Sequence, residues 1–298
     1  MNGATKIKTQ QIELEEGCRV EFDEDNRCLH LEDNLCLRKI NPETRSEFER
    51  GSGGELKRRG KKMPRMHSLY SSAALACSFF DYWRDKDASP LAVALGVADV
   101  RGLCFEQKFP AGLPGTPPNL DVVFQVSDDS LLAIESKFTE PYSGDIAKKN
   151  RLANSYFLHK NGKKKELWGA QELSGCQDVA QQLREEELCY HHLDAAQLLK
   201  HMLGLANSKN KQAKRYGKWE ILYLWFDSTG KAVEHHRQEI DEFIKAVGND
   251  DGVVGGGGKI RAMTYQNLFK RLPKKLGDSH KEYQAYKYYL DQRYSLGK

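Results

Sequence analysis

No stretch of the 298 residues stays apolar for long enough to span a membrane. Met1 to Gln11 carries no apolar run either, so no signal peptide is expected. Paired cysteines are missing as well. The seven, at positions 18, 28, 36, 77, 104, 176 and 189, are odd in number and include no Cys-x-x-Cys spacing. Neither a disulfide framework nor a zinc knuckle follows from them; they read as reduced thiols, several buried, in a cytoplasmic protein. Excess charge is scarce, because 46 Lys and Arg against 42 Asp and Glu leave a formal net charge of only +4. Bulk charge alone therefore demands no polyanionic partner. The glycine run at 252–258 precedes a strand, whereas dinucleotide and phosphate loops follow one and open a helix, so it is read as a flexible loop. The histidine pairs His191-His192 and His235-His236 are adjacent in sequence and cannot both face one metal in a regular helix.

What is present is an apolar hairpin that carries charge. Pro117 to Val126 and Leu131 to Phe138 both read as strands, with serine and aspartates marking a tight turn between them. Side chains alternate along a strand, so Glu135 and Lys137 share one face, and Ile134, Ser136 and Phe138 share the other. In the first run Leu120, Val122, Phe124 and Val126 form an apolar set, and Asp121 points the opposite way. Pairing the two runs brings Asp121 beside Glu135 and Lys137. Two neighbouring carboxylates repel, and a hard divalent cation such as Mg2+ (or Mn2+) is the simplest means of keeping both ionised at neutral pH. A lysine beside that cation can orient a water or steady charge developing on a phosphate. The plainer alternative is an edge hairpin bearing a surface ion pair.

An aspartate followed, on the next strand, by Glu-x-Lys resembles the PD-(D/E)XK nuclease superfamily, with Asp121, Glu135 and Lys137 at the matching positions. Pro117 or Pro118 lies near the proline of that pattern without adjoining the aspartate. Pro117-Pro118-Asn119-Leu120-Asp121 and Glu135-Ser136-Lys137-Phe138-Thr139-Glu140-Pro141 are similar to a bacterial branch of restriction-endonuclease-like proteins. Gly51 to Leu56 and Ser71 to Leu75 are similar to the same branch, so the resemblance covers roughly the middle two thirds of the chain. It implies a mixed α/β sheet flanked by helices and a metal-dependent phosphodiester hydrolase. In that site Asp121 and Glu135 hold the metal, the Ser136 carbonyl adds a ligand, and Lys137 positions the water. It also implies a glutamine facing the site from the following helix, which Gln197 would supply.

Around this centre the chain divides into a small N-terminal β meander with linker, residues 1–50, and a nuclease-like α/β domain, residues 51–298. Ser68 to Arg84 repeats apolar residues at helical spacing. Gly102 to Phe109 reads as the first core strand, with Leu103, Phe105 and Phe109 on one face and Glu106 and Lys108 on the other. Glu106 is thus either a third carboxylate of the acid cluster or half of a solvated ion pair. Glu55, in the Gly-Gly-Glu-Leu segment, is either a further ligand for metal or water or an ordinary solvated acid. Two helical pieces at 179–188 and 193–205 lead to Trp219–Phe226, a nearly all-apolar buried strand. A helix at 233–247, a strand at 259–264 and helices at 265–272 and 282–294 close the chain. On the second piece His201, four residues after Gln197, shares its face and reads as structural.

Two basic segments suit phosphate contact: Lys57, Arg58, Arg59, Lys61 and Lys62 before the core, and Lys148, Lys149 and Arg151 after the Glu-x-Lys strand. Both also suit ordinary solvated loops. The expectation is therefore a Mg2+-dependent DNA endonuclease, acting on duplex in restriction or defence, with a homodimer as the usual arrangement for cutting two strands. The alternatives are a non-cleaving nucleic-acid-binding protein on the same fold, and a repair or RNA-processing nuclease.

Overall fold

A computed structural model of the chain describes residues 20–51, 54–58, 60, 62–115, 117–144, 146–147, 150–159, 161–163, 165–211, 217–276 and 280–297. Six strands form one mixed sheet: β1 Arg101–Lys108, β2 Asn119–Ser127, β3 Ser130–Lys137, β4 Lys218–Trp225, β5 Val253–Gly255 and β6 Gly258–Thr264, in the order β1-β2-β3-β4-β6-β5. The first three run antiparallel, β3, β4 and β6 are parallel, and β5 is antiparallel to β6. Among the described residues eight α-helices flank it: α1 Pro42–Arg50, α2 Ser72–Phe80, α3 Ser89–Leu95, α4 Ser174–Glu185, α5 Ala195–Lys211, α6 Lys231–Val247, α7 Tyr265–Arg271 and α8 His280–Tyr294. This is the helix-flanked mixed α/β sheet that the sequence predicts.

Two buried clusters, one on each face, hold the sheet between layers of helix. One gathers Phe80, Phe124, Ile134, Leu224, Tyr265 and Tyr286, drawing on α2, α7 and α8. The other gathers Val123, Ala133, Leu199, Met202, Tyr223 and Phe243, drawing on α5 and α6. Alternation along β3 is clean: Leu132, Ile134 and Phe138 enter the first cluster, Leu131 and Ala133 the second. Glu135 and Lys137 consequently point toward α5. That parity places the chemistry.

Helix starts are set locally. The Asn41 side chain accepts the Glu43 N–H, with Pro42 at the first helical position of α1, and the Ser71 hydroxyl accepts the Ala74 N–H at α2. The helix expected at 68–84 is shorter, with 3-10 turns at Arg65–His67 and Asp81–Trp83 on either side of α2. The tyrosines of α8 pack inward, Tyr283, Tyr286 and Tyr294 being buried.

Three expectations need correction. Within the part of the predicted meander that is described, the chain forms an isolated Phe22–Cys28 bridge and two 3-10 turns, Leu31–Asn34 and Cys36–Arg38; residues 1–19 lie outside the described residues. Short acidic turns spaced this closely leave no room for paired strands. Val253–Gly255, inside the glycine-rich segment read as a loop, is strand β5. Finally, Phe109 and Leu120 belong to the cluster opposite the one holding Phe105 and Val122. Between Phe105 and Phe109 stands Glu106 with φ of 56°, a left-handed conformation rare for a side chain other than glycine, and it breaks the alternation of β1. Gln107 pairs with Leu120, so β2 turns with its neighbour.

Candidate active site

Register brings the acids together. Phe105 faces Val122 and Gln107 faces Leu120, which sets Glu106 level with Asp121; Val122 faces Ile134 and Val123 faces Ala133, which sets Asp121 level with Glu135. Glu135 in turn pairs with Tyr223 on β4. A row of Glu106, Asp121, Glu135 and Tyr223 therefore crosses four strands. Glu135 and Tyr223 lie on the face covered by α5, and the charges of Asp121 and Glu106 are close enough to act on Glu135 and on each other.

Glu135 is buried, 1 % exposed, and Oε1 accepts a bond of 2.6 Å from the Lys137 ammonium. Lys137 also donates to Gln197 Oε1 at 2.9 Å. The start of α5 is fixed by the Asp194 carboxylate, which accepts the Gln197 N–H at 2.9 Å. One turn further along, His201 Nε2 stands 3.1 Å from Glu135 Oε2. The two are out of line for a hydrogen bond, so among the described residues both atoms are buried without an aligned partner. Asp121 Oδ2 accepts the Ser136 N–H at 2.7 Å, and the Ser136 hydroxyl meets Tyr265 Oη at 2.7 Å on the opposite face.

The electrostatics follow from this crowding. Burial, reinforced by the Glu135 charge, pushes the Asp121 carboxyl well above its ordinary range. Burial also penalises Glu135, but the Lys137 ammonium and His201 outweigh it and hold Glu135 down at about 2. For Lys137 burial disfavours the charge, yet Glu135 and Asp121 more than reverse that and raise its pKa. Glu106 is pushed up to about 7 by burial; the Asn119 amide on Oε2 opposes this, and the Glu55 and Glu135 charges add to it. Glu106 is thus a buried member of the acid row and no solvated partner of Lys108. Gly51 makes room for it, since a Cβ there would lie 2.8 Å from Glu106 Oε2.

Asp121, Glu135, Ser136, Lys137 and Gln197 accordingly converge, and Glu106 joins them. Glu55 acts on Glu106 from outside, with Arg65 3.9 Å from its carboxylate. Of the basic residues, Lys57, Arg58 and Lys62 are exposed; Arg58 lies against the Met63 sulfur and Lys62 is 3.3 Å from Asp25. Arg151 is exposed and paired with Glu186 at 2.5 Å. Arg59, Lys61, Lys148 and Lys149 lie outside the described residues. Sequence reading passed over Asn119, although it stands two residues before Asp121 on the same strand, and it gave His201 no part in the site, although its spacing from Gln197 pointed there.

Whether these groups suit a cation can be asked of their oxygens. Two facing carboxylates, one with a buried oxygen lacking an aligned donor and the other with its proton affinity raised, form a surplus of negative charge that a divalent ion offsets. Among the described residues no three His, Cys, Asp or Glu side chains enclose a metal on their own. Mg2+ commonly takes one or two carboxylates and completes its shell with water and phosphate, so a pair fits that ion. A cavity of about 250 Å3 opens beside Lys137, lined also by Glu140, Pro141, His192, Asp194 and Tyr223. A larger one, about 470 Å3 and lined by Arg38, Asp81, Tyr82 and Glu282, includes none of the motif residues.

No helix of the described residues is long and apolar enough to cross a membrane. Neither a curated protein nor a solved structure matches the chain. Residues 2–295 match the model of the family described as Restriction Endonuclease associating with ARP, and the chain belongs to that family.

Proposed function

We propose that the chain is a Mg2+-dependent endonuclease that hydrolyses phosphodiester bonds of duplex DNA in restriction or defence. The observation that carries this reading is the convergence of Asp121, Glu135 and Lys137 on one sheet face, with a Glu135 oxygen left without an aligned donor. Asp121 and Glu135 hold the cation, with the Ser136 carbonyl beside them and Glu106 extending the acid row. When bound, the ion polarises the phosphoryl group and offsets charge that develops on it. Lys137, fixed by Glu135 and Gln197, donates toward the attacking water and the phosphate oxygens. Gln197 is a positioning residue, and Glu55 tunes Glu106 from outside. The exposed Lys57, Arg58 and Lys62, with Arg151, supply sequence-independent phosphate contacts. Two copies acting together would reach both strands.

The test is nicking of supercoiled plasmid with and without Mg2+, alongside linear duplex, single strands and RNA. Glu135→Ala and Lys137→Ala should each slow cleavage by about 100-fold or more, the scale of losing one electrostatic stabiliser. Should both variants cut like the parent, the assignment is wrong. Preference for RNA or single strands would move the substrate class and leave the chemistry standing.

A further inference from the structure

The cavity beside Lys137 holds several polar groups, and their hydrogen bonds decide what each can do there. Lys137 is a donor in it, since both of its protein contacts, Glu135 and Gln197, are acceptors. Tyr223 is an acceptor. Its hydroxyl meets His236 Nε2 at 3.0 Å, while His236 Nδ1 meets Tyr142 Oη at 3.1 Å and Tyr142 donates to the Phe226 carbonyl. A neutral imidazole donates once and accepts once. With the Tyr142 proton on Phe226 O, Nδ1–H points to Tyr142 and Nε2 takes the Tyr223 proton. The Tyr223 oxygen therefore offers lone pairs to the cavity, but a phenol already carrying its proton keeps no second one.

His192 is different. Its Nδ1 lies 2.7 Å from the Pro141 carbonyl, an acceptor, so Nδ1 carries a proton and in the neutral ring Nε2 is the acceptor nitrogen. His192 is one of the residues that line the cavity. Its segment is clamped from α6: the Glu239 carboxylate accepts the backbone N–H groups of His191, His192 and Leu193 at 2.7, 2.8 and 2.8 Å. An imidazole oriented by a carbonyl, on a segment pinned by a carboxylate, and belonging to a residue that lines a cavity shared with the activating lysine, is the arrangement of a general base. The carboxylates in the same wall, Glu140 and Asp194, already accept backbone N–H groups of Phe138 and Gln197. Near neutral pH a carboxylate is also the weaker proton acceptor.

We propose that His192 Nε2 accepts the proton of the water that attacks phosphorus, and that Glu239 positions it. This rests on the endonuclease reading above. As the water oxygen bonds to phosphorus, one of its protons passes to Nε2. The bond from phosphorus to the leaving oxygen breaks, that oxygen takes a proton from solvent, and the imidazolium returns its proton to solvent. Lys137 and the Tyr223 oxygen hold the water from either side.

Four measurements test it. His192→Ala should lower kcat for plasmid nicking by about 100-fold, within the usual range for a general base, with KM changed less than about twofold. Added imidazole should recover part of the loss. His192→Asn keeps an N–H for Pro141 but offers no base, so it should be as slow as the alanine variant; parental rates in it would overturn the proposal and leave His192 only a strut. In the metal-free parent, 15N spectra of labelled histidine should show His192 with a protonated Nδ1 and a bare Nε2, whatever the protein cleaves. The opposite tautomer would overturn the proposal even if the parent cuts. A parent that cuts nothing while showing this tautomer would instead count against the endonuclease reading.

Discussion

Two clusters of buried charge meet at β1, and they differ in how their acids are satisfied. On one face, Glu47 of α1 accepts from Arg84 at 2.5 Å and from the Phe105 N–H at 3.0 Å. Asp81 accepts the Asn41 N–H at 2.8 Å and the Thr44 hydroxyl at 2.5 Å. The loose end there is Arg84 Nε, which still faces Asp81 at 3.6 Å. On the other face Asp121 takes one backbone N–H, Glu135 has an oxygen facing His201 out of line, and the two carboxylates stand level with each other. A cluster built for stability brings donors to its acids. The second cluster leaves a Glu135 oxygen without an aligned donor and raises the proton affinity of Asp121 and Glu106.

The strongest way to break this contrast is Arg84→Met. It strands Glu47 in the core, and losing one partner of a buried pair costs about 3–5 kcal/mol. Urea unfolding should show an unfolding free energy lower by that amount. A loss below about 1 kcal/mol would mean the first cluster is no more structural than the second.

Next in size is the same substitution made in both places. Asp81→Asn weakens the acceptor of the Asn41 N–H and the Thr44 hydroxyl and should destabilise by about 1–2 kcal/mol. Asp121→Asn removes a charge that burial and Glu135 disfavour, so in EDTA it should stabilise by roughly 1 kcal/mol while abolishing cleavage. Equal signs would erase the distinction. Dependence on pH sharpens it. Asp121 and Glu106 have folded pKa values above their ordinary ones, so the folded state holds protons that the unfolded chain has released, and stability falls as pH rises. For Glu106 the window runs from its ordinary value of 4.5 to about 7. Glu135 works oppositely: its contribution is complete above the ordinary carboxylate range and is lost as pH falls toward about 2. In metal-free protein, Glu106→Gln should therefore gain stability on the parent as pH rises from 4.5 to 7 in thermal unfolding.

How far the sequence carried this picture depends on the range of the interaction. Alternation in β3 is local, and it put Glu135 and Lys137 on one face before any coordinates. The apolar run 219–226 and the helical spacing of 233–247 were legible for the same reason. Gln197 was within reach only through the family resemblance, which implies a glutamine on the helix after the Glu-x-Lys strand. The Glu47 contact with the Phe105 N–H was not legible, being 58 residues apart in sequence. Nor was the left-handed backbone at Glu106, which no neighbouring residue announces and which undid the face assignment of Phe109 and Leu120. His192 gave only an adjacent histidine pair, and its meaning came from Pro141 and Glu239, both remote in the chain.

The smallest expected effect lies where the two clusters touch. Gly51 ends α1, and a Cβ there would lie 2.8 Å from Glu106 Oε2 and 3.0 Å from its Cγ. Its φ is −57°, so alanine brings no backbone strain, and the atoms in the way are all of the Glu106 side chain, Oε2 and Cγ together with Cβ at 3.1 Å, which must give by a few tenths of an ångström. Gly51→Ala should thus change stability by less than about 1 kcal/mol. Moving Glu106 disturbs the Asn119 bond and the acid row while leaving Glu47 and Arg84 untouched. Cleavage should fall severalfold and need more Mg2+ for half-maximal rate, with the unfolding midpoint nearly that of the parent. A variant that loses stability and activity together would join the two clusters into one structural unit, and Glu106 would then belong with Glu47 rather than with Asp121.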